Sequence, residues 1–189
     1  VIDVNLTATF RLCRGVLRGM MKARWGRIVN ITSVVGHSGN PGQGNYAAAK
    51  AGIAAMARTW ATECARANIT VNAIVPVAMT QMVATIPALM PFAEAMERGE
   101  PLPASLRHGL GLGTPDDVAP LLVFLASSQA AHITGQCIGI GGDKLSLWSQ
   151  PSEVRVAYRE GGWDAASIAA GWAQGVGQQL EPFGDEITL

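Results

Sequence analysis

RIVNITSVVGHSGNPGQGNYAAAKAGIAAMARTWATECARANITVNAIVP, residues 27–76, holds the pattern from which the fold is read. Arg27–Ser33 is a short run rich in β-branched residues and reads as a buried strand. Gly, Asn and Pro crowd residues 34–45, which is loop composition. From about Tyr46 to Arg66 the chain is Ala-rich and reads as one long helix. Ile69–Val75 is a second buried strand, ended by Pro76, which cannot extend a central ladder. A strand, a helix and a strand in this order predict a parallel pair joined by a right-handed crossover, with helices covering the sheet.

Outward from that stretch the alternation continues. Residues 6–23 form an amphipathic helix whose apolar stripe is Leu6, Phe10, Cys13, Leu17 and Met20/Met21. Trp25-Gly26 ends it. Beyond Pro76, residues 77–113 are irregular and hold Met79, Met82, Met90 and Met96 among Pro and Gly, an adaptable apolar surface suited to a lid. Thr114-Pro115-Asp116-Asp117 opens another helix, with a hydroxyl N-cap, Pro at the first position and two acidic residues behind it. That helix runs to Ser127. Gln136–Gly142 is a third strand and turn. Residues 143–189 are expected to form a C-terminal helical appendage, with Trp148, Trp163, Trp172 and a helix opening near Asp164.

The 189 residues are 49% hydrophobic and 15% charged, enough for one sizeable core and far from the composition of a disordered chain. Net charge is zero, so no field favours nucleic acid. Arg11, Arg14, Arg18 and Lys22 share one helix face, but no nucleic-acid motif or aromatic interleaving accompanies them, and a solvated face is the reading. Apolar stretches are broken well short of a membrane span, so no membrane partner is expected. Cys13, Cys64 and Cys137 are too scattered for a disulfide framework or a thiolate metal site, which fits a reducing, cytoplasmic setting. His37, His108 and His132 share no ligand spacing, and no metal is expected.

Two residues in the long helix carry chemistry. Tyr46 and Lys50 are four apart, hence stacked on one face. An ammonium beside a phenol favours the phenolate and brings its proton within reach of neutral pH. That serves proton transfer to or from a C–O oxygen. The pair alone is weak, since a few per cent of chains with so few Tyr and Lys would show it by chance. Ser33 adds weight. It closes the first strand thirteen residues before Tyr46, and ligands of open α/β sheets bind outside such carboxyl ends. Asn5 precedes Ser33 by 28 residues and could hold a water that feeds Lys50.

Asn5-Leu6, Asn30-Ile31-Thr32-Ser33-Val34-Val35-Gly36, Asn45-Tyr46-Ala47-Ala48-Ala49-Lys50-Ala51-Gly52 and Ile69–Pro76 resemble consecutive motifs of the short-chain dehydrogenase/reductase family, in order and spacing, over residues 1–142. The resemblance implies a Rossmann-type, doubly wound parallel sheet of which this chain carries the C-terminal half. It implies an Asn5–Ser33–Tyr46–Lys50 tetrad: Tyr46 as general acid/base, Lys50 tuning it and holding the nicotinamide ribose, Ser33 placing the substrate oxygen, Asn5 supporting a relay water. NAD or NADP would be the cofactor, with NAD favoured, and Thr32, Tyr46, Lys50, Pro76, Val77 and Thr80 would touch it. Ser33, Met79 and Met82 would face the substrate. Like chains are expected to pair as dimers or tetramers.

Pro76-Val77-Ala78-Met79-Thr80 replaces the family's usual Pro-Gly here, and with the Trp-bearing tail it resembles the hydroxyacyl-CoA and steroid dehydrogenase subgroup. A bulky apolar alcohol or ketone is the substrate that implies. The family's Gly-rich pyrophosphate turn would precede residue 1. Gly109–Gly113 and Gly139–Gly142 do not replace it, because neither has the strand–turn–helix context. The rival expectation is therefore a catalytically incomplete fragment, or a pairing module of the same family.

Overall fold

A computed structural model describes residues 1–181. The last eight residues of the expected appendage, 182–189, lie outside the described residues. The chain divides into two units, the first Val1–Trp148 and the second beginning at Ser149.

The first unit is built on a four-stranded sheet. Strands β1 (Gly26–Ile31), β2 (Ile69–Pro76) and β3 (Cys137–Gly141) are parallel and adjacent in that order, and β4 (Lys144–Leu147) pairs antiparallel with β3. The doubly wound parallel sheet predicted from the sequence is present. β4 belongs to this sheet, although its residues fall in the stretch expected to be the appendage. It closes a hairpin whose two-residue turn is Gly142-Asp143, with Gly142 at φ 51°.

Along β2 the side chains alternate between two cores. Val71, Ala73 and Val75 face helices α1 (Ala8–Ala23) and α3 (Gly44–Cys64), where they meet Cys13, Ala57, Trp60, Ala61 and Cys64. Ile74 faces the other way, toward Val118, Leu121 and Leu125 of α5 (Pro115–Ala126). The buried positions of α3, Ala49, Ile53, Ala57, Trp60, Ala61 and Cys64, recur at three- and four-residue spacing. The alanines among them let the helix lie close to the sheet. Each large side chain hidden there, such as Ile53 or Val71, contributes roughly 1.5–3 kcal/mol.

This arrangement corrects the expected handedness. Both crossovers step the same way across the sheet, β1 to β2 to β3, yet α3 covers one face and α5 the other. The two crossovers are therefore of opposite hand, against a rule obeyed by about 98% of such units. The rule presumes a helix fed directly by its strand. Here residues 77–114 intervene between β2 and α5, which frees α5 to take the far face.

That intervening segment is folded on itself. It holds α4 (Met90–Glu97) and a π-helical turn, Ser105–Leu110, around a small core of Leu89, Leu102 and Leu112. Its ends are pinned together, with Ala78 bridging Gly113 and the Met79 N–H donating to the Gly113 carbonyl at 2.7 Å. The Arg107 guanidinium ties it to the sheet through Asp143 (2.6 Å) and to the start of α5 through Asp117 (3.4 Å). Asp117 also completes a capping box with Thr114, the N-cap read from the sequence.

In the second unit, α6 (Ala165–Gly171) opens on a capping box between Asp164 and Ser167. No helix among the described residues is long and apolar enough to cross a membrane.

Candidate active site

At the carboxyl end of β1 the ladder runs one residue past the strand, with the Thr32 N–H donating to the Ile74 carbonyl at 2.9 Å. Ser33 follows, half-buried, its hydroxyl accepting from the Val35 N–H at 3.3 Å. The chain then makes one helical turn, α2 (Val35–Ser38), inside the stretch read as loop. Two glycines with positive φ, Gly39 (76°) and Gly42 (77°), carry it round to α3.

Tyr46 lies in the first turn of α3, half-buried, and Lys50 one turn further on, 9% exposed. The Lys50 ammonium sits 5.5 Å from the centre of the Tyr46 ring and donates to the Ile31 carbonyl at 3.0 Å. Burial holds its pKa below the usual lysine range. Thr32 and Tyr46 thus both contact Lys50, and Ser33 follows Thr32 at the strand end.

The remaining predicted residues divide. Asn5 lies in a π-helical turn, Asp3–Thr7, at the head of α1. Such turns recur at functional sites. This one rests on α3, where a Cβ on Gly52 would stand 2.8 Å from the Leu6 side chain. The Asn5 amide itself donates to the Val1 carbonyl at 3.1 Å. Pro76 ends β2 beside β1, and Val77 continues the β2–β3 ladder through its N–H to the Ile140 carbonyl at 2.9 Å. Thr80 is exposed and its hydroxyl accepts from the Val83 N–H at 3.3 Å. Met79 packs into the Leu89–Leu102–Leu112 core, whereas Met82 is 81% exposed. Thr32 is 2% exposed, and its hydroxyl donates to the Lys50 carbonyl at 2.7 Å.

Sequence reading passed over His37. On α2 its ring stacks on Trp148, with centroids 4.3 Å apart, and Nε2 lies 3.2 Å from the Cys137 thiol. Nothing in the spacing of residues 37, 137 and 148 signals this, because only the sheet brings them together. Burial, and then the nearby Arg58 guanidinium, lower the His37 pKa below 6.5, while burial pushes Cys137 up to about 11. The pair is neutral in the fold. The unfolded chain takes up a proton on His37 at higher pH than the folded chain does, so this group's contribution is full above the unfolded value of about 6.5 and is lost as pH falls through it toward the folded value. The melting temperature should therefore fall less between pH 7.5 and pH 5.5 (roughly one unit either side of that value) in His37→Gln than in the parent. Equal falls in both would reject the reading.

Cys13, Cys64 and Cys137 are free and buried, and among the described residues no three His, Cys, Asp or Glu side chains converge on a metal position. Neither glycine cluster forms a strand–turn–helix: Gly139–Gly142 leads into β4, and Gly109–Gly113 leaves a π-helical turn.

A family model described as enoyl-(acyl carrier protein) reductase matches residues 1–142. The chain is 43% identical over 147 residues to the 3-oxoacyl-(acyl-carrier-protein) reductase FabG of Rickettsia bellii, covering 78% of this chain and 58% of that protein. It is 45% identical over 143 residues to the FabG of Thermotoga maritima, covering 75% and 54%. Nodulation protein G of Rhizobium sp. is 43% identical over 142 residues, covering 75% and 55%. A crystal structure of a short chain dehydrogenase from Mycobacterium avium superposes with a TM-score of 0.74 at 32% identity, covering 97% of this chain and 58% of that one. The chain thus spans about half the length of the curated relatives it matches. It belongs to the short-chain dehydrogenase/reductase family, and the matched residues include every side chain placed around Lys50.

Proposed function

We propose that this chain carries the proton-handling centre of a nicotinamide-dependent oxidoreductase that interconverts a secondary alcohol and a ketone. The observation that carries this reading is Lys50. Its ammonium is nearly buried, faces no carboxylate among the described residues, and spends one of three N–H donors on Ile31. A buried cation so short of acceptors fits a hydroxyl-rich ligand at the strand ends, such as the ribose of a nicotinamide nucleotide. Lys50 and Tyr46 would hold that ribose, and the backbone of Pro76-Val77 would flank the ring. When bound, the nucleotide supplies the hydride.

The chain's own part is the proton. The Tyr46 hydroxyl gives a proton to, or takes one from, the substrate oxygen. Lys50 stabilises the phenolate this leaves behind. Ser33 donates its hydroxyl to the same oxygen and fixes its direction. Asn5, whose π-helical turn rests on α3, supports the water that returns a proton toward Lys50.

The two FabG relatives reduce, by their names, 3-oxoacyl groups on acyl carrier protein. That is the same ketone/alcohol pair as the 3-hydroxyacyl-CoA expected from sequence, and it moves the substrate class from a steroid toward an acyl thioester. The apolar residues of the 77–113 segment, with Met82, Ile86 and Met90 exposed, suit an acyl chain. Exposed Leu12 and Val16 on α1 support pairing of like chains.

A second reading, a pairing module without cofactor, is favoured by the bare edge of β1, which bonds to β2 alone. Titration with NADH and NADPH, followed by fluorescence, separates the two. Both nucleotides are needed, since no described residue takes the place of the side chain that chooses between them. Saturable micromolar binding, weakened about tenfold or more in Lys50→Met (1.4 kcal/mol or more), is the expected result. Absence of binding by either nucleotide supports the second reading.

A further inference from the structure

We infer that Thr32 and Gly36 are positioning residues for Lys50, clamping the turn of α3 that bears it. Two independent contacts point there. The Thr32 hydroxyl, buried with the rest of its side chain, donates to the Lys50 carbonyl at 2.7 Å, while its N–H is held by Ile74 of β2 at 2.9 Å. Thr32 is thus a bolt between the sheet and one peptide of the helix. Gly36, four residues on, lies flat against the same peptide. A Cβ there would stand 2.8 Å from the Lys50 carbonyl carbon and the Ala51 nitrogen, and 2.9 Å from the Lys50 Cβ. Those atoms are helix backbone or fixed to it, so no rotamer change relieves the contact.

A third tie closes the arrangement, because the Lys50 ammonium donates to the Ile31 carbonyl at 3.0 Å. The segment from Ile31 to Gly36 therefore fixes Lys50 at its carbonyl, its backbone flank and its charged end. The same segment carries Ser33. In consequence Ser33 and the Lys50 ammonium are set by one rigid piece of chain, and their separation does not depend on the 77–113 segment. The Thr32 hydroxyl is spent on the helix, so its part in binding the nucleotide is indirect. Thr32 and Gly36 touch neither substrate nor nucleotide in this account, which rests on the proposed role of Lys50.

The test follows Lys50 itself. The chain has three lysines, Lys22, Lys50 and Lys144, and one α-amine, so reductive methylation with carbon-13 gives four assignable signals whose titration is read by NMR. In Thr32→Val, which keeps the shape and removes the hydroxyl, the Lys50 signal should titrate at higher pH than in the parent, as the turn loosens and water reaches the ammonium. Lys22 and Lys144 should not move. Thr32→Ser, which keeps the donor, should restore the parent titration. Gly36→Ala should shift Lys50 in the same direction as Thr32→Val. An unchanged Lys50 titration in Thr32→Val, or a shift in Thr32→Ser as large as in Thr32→Val, overturns the clamp. Nucleotide titration of the same variants, unmethylated so that Lys50 keeps its donors, keeps the two ideas apart. A shifted Lys50 in a chain that binds no nucleotide upholds the clamp and rejects the oxidoreductase reading. Tight binding with an unmoved Lys50 does the reverse.

Discussion

Tyr46→Phe should lower turnover of the ketone by about 10²–10⁴ while leaving the melting temperature where it was. The two halves of that expectation have separate causes. Among the described residues the Tyr46 hydroxyl has no hydrogen-bond partner, so removing it strands no buried donor or acceptor. The phenyl ring keeps its place below the Lys50 ammonium, at 5.5 Å. What is lost is the hydroxyl assigned to protonate the substrate oxygen. Without it the oxygen must take its proton from water during hydride transfer, and that change appears in kcat. Nucleotide binding should persist through the untouched Lys50 ammonium, weakened only by the loss of the Tyr46 hydroxyl from the ribose. Turnover is read from nicotinamide absorbance and stability from thermal unfolding of the same preparation. Undiminished turnover in the Phe variant would remove Tyr46 from the proton-handling role.

Several parts of this arrangement are legible in the sequence because they depend on local chemistry. The β-branched run at 27–33 and the repeat of Ile, Val and Ala at 69–75 specify buried strands whatever surrounds them. The spacing of Ala49, Ile53, Ala57, Trp60 and Cys64 specifies which face of the helix is covered. From these, Tyr46 and Lys50 acquire a common face, and Ser33 a strand end beside it. Thr114 to Asp117 announces its helix through its own capping box.

The remainder depends on contacts between distant segments. β4 is four residues long and exists only because β3 offers it a free edge. α2 is one turn of helix inside a Gly-rich loop, and its place is decided by the fit of Gly36 against Lys50 and Ala51. Thr32 shows the limit most clearly. A hydroxyl at a strand end reads as a ligand group, yet its partner is a carbonyl eighteen residues away on α3. Met79 and Met82, three apart in one apolar span, part company because only Met79 reaches the Leu89–Leu102–Leu112 core. The opposite hand of the second crossover has no sequence signal either, since it arises from the long segment inserted before α5.

The largest loss of stability is expected at a glycine that sequence reading treats as punctuation. A Cβ on Gly141, at the end of β3, would run into the carbonyl oxygens of Val77 and Gly111. Those two oxygens belong to the outgoing and returning ends of the 77–113 segment, which are themselves joined by the Met79–Gly113 hydrogen bond. Relief therefore requires the whole base of the segment to lift from β3, breaking the Val77–Ile140 rung as it goes. Overpacking against movable side chains costs about 1–3 kcal/mol, and against fixed backbone the upper end is the starting point. Gly141→Val should thus lower the melting temperature by roughly 6–12 °C, at about 2–4 °C per kcal/mol for a chain of this size. Gly109, in the same segment, is the control. It has open space around its Cβ direction and no positive φ, so Gly109→Ala should change stability by no more than about 1 kcal/mol. The Gly141 variant should also be cut faster by protease within 77–113, because the segment's anchorage is what it loses. Equal melting temperatures for the two variants would show that β3 and the segment yield to each other more easily than their backbone contact implies. The strand-end glycine would then be a turn residue and nothing more.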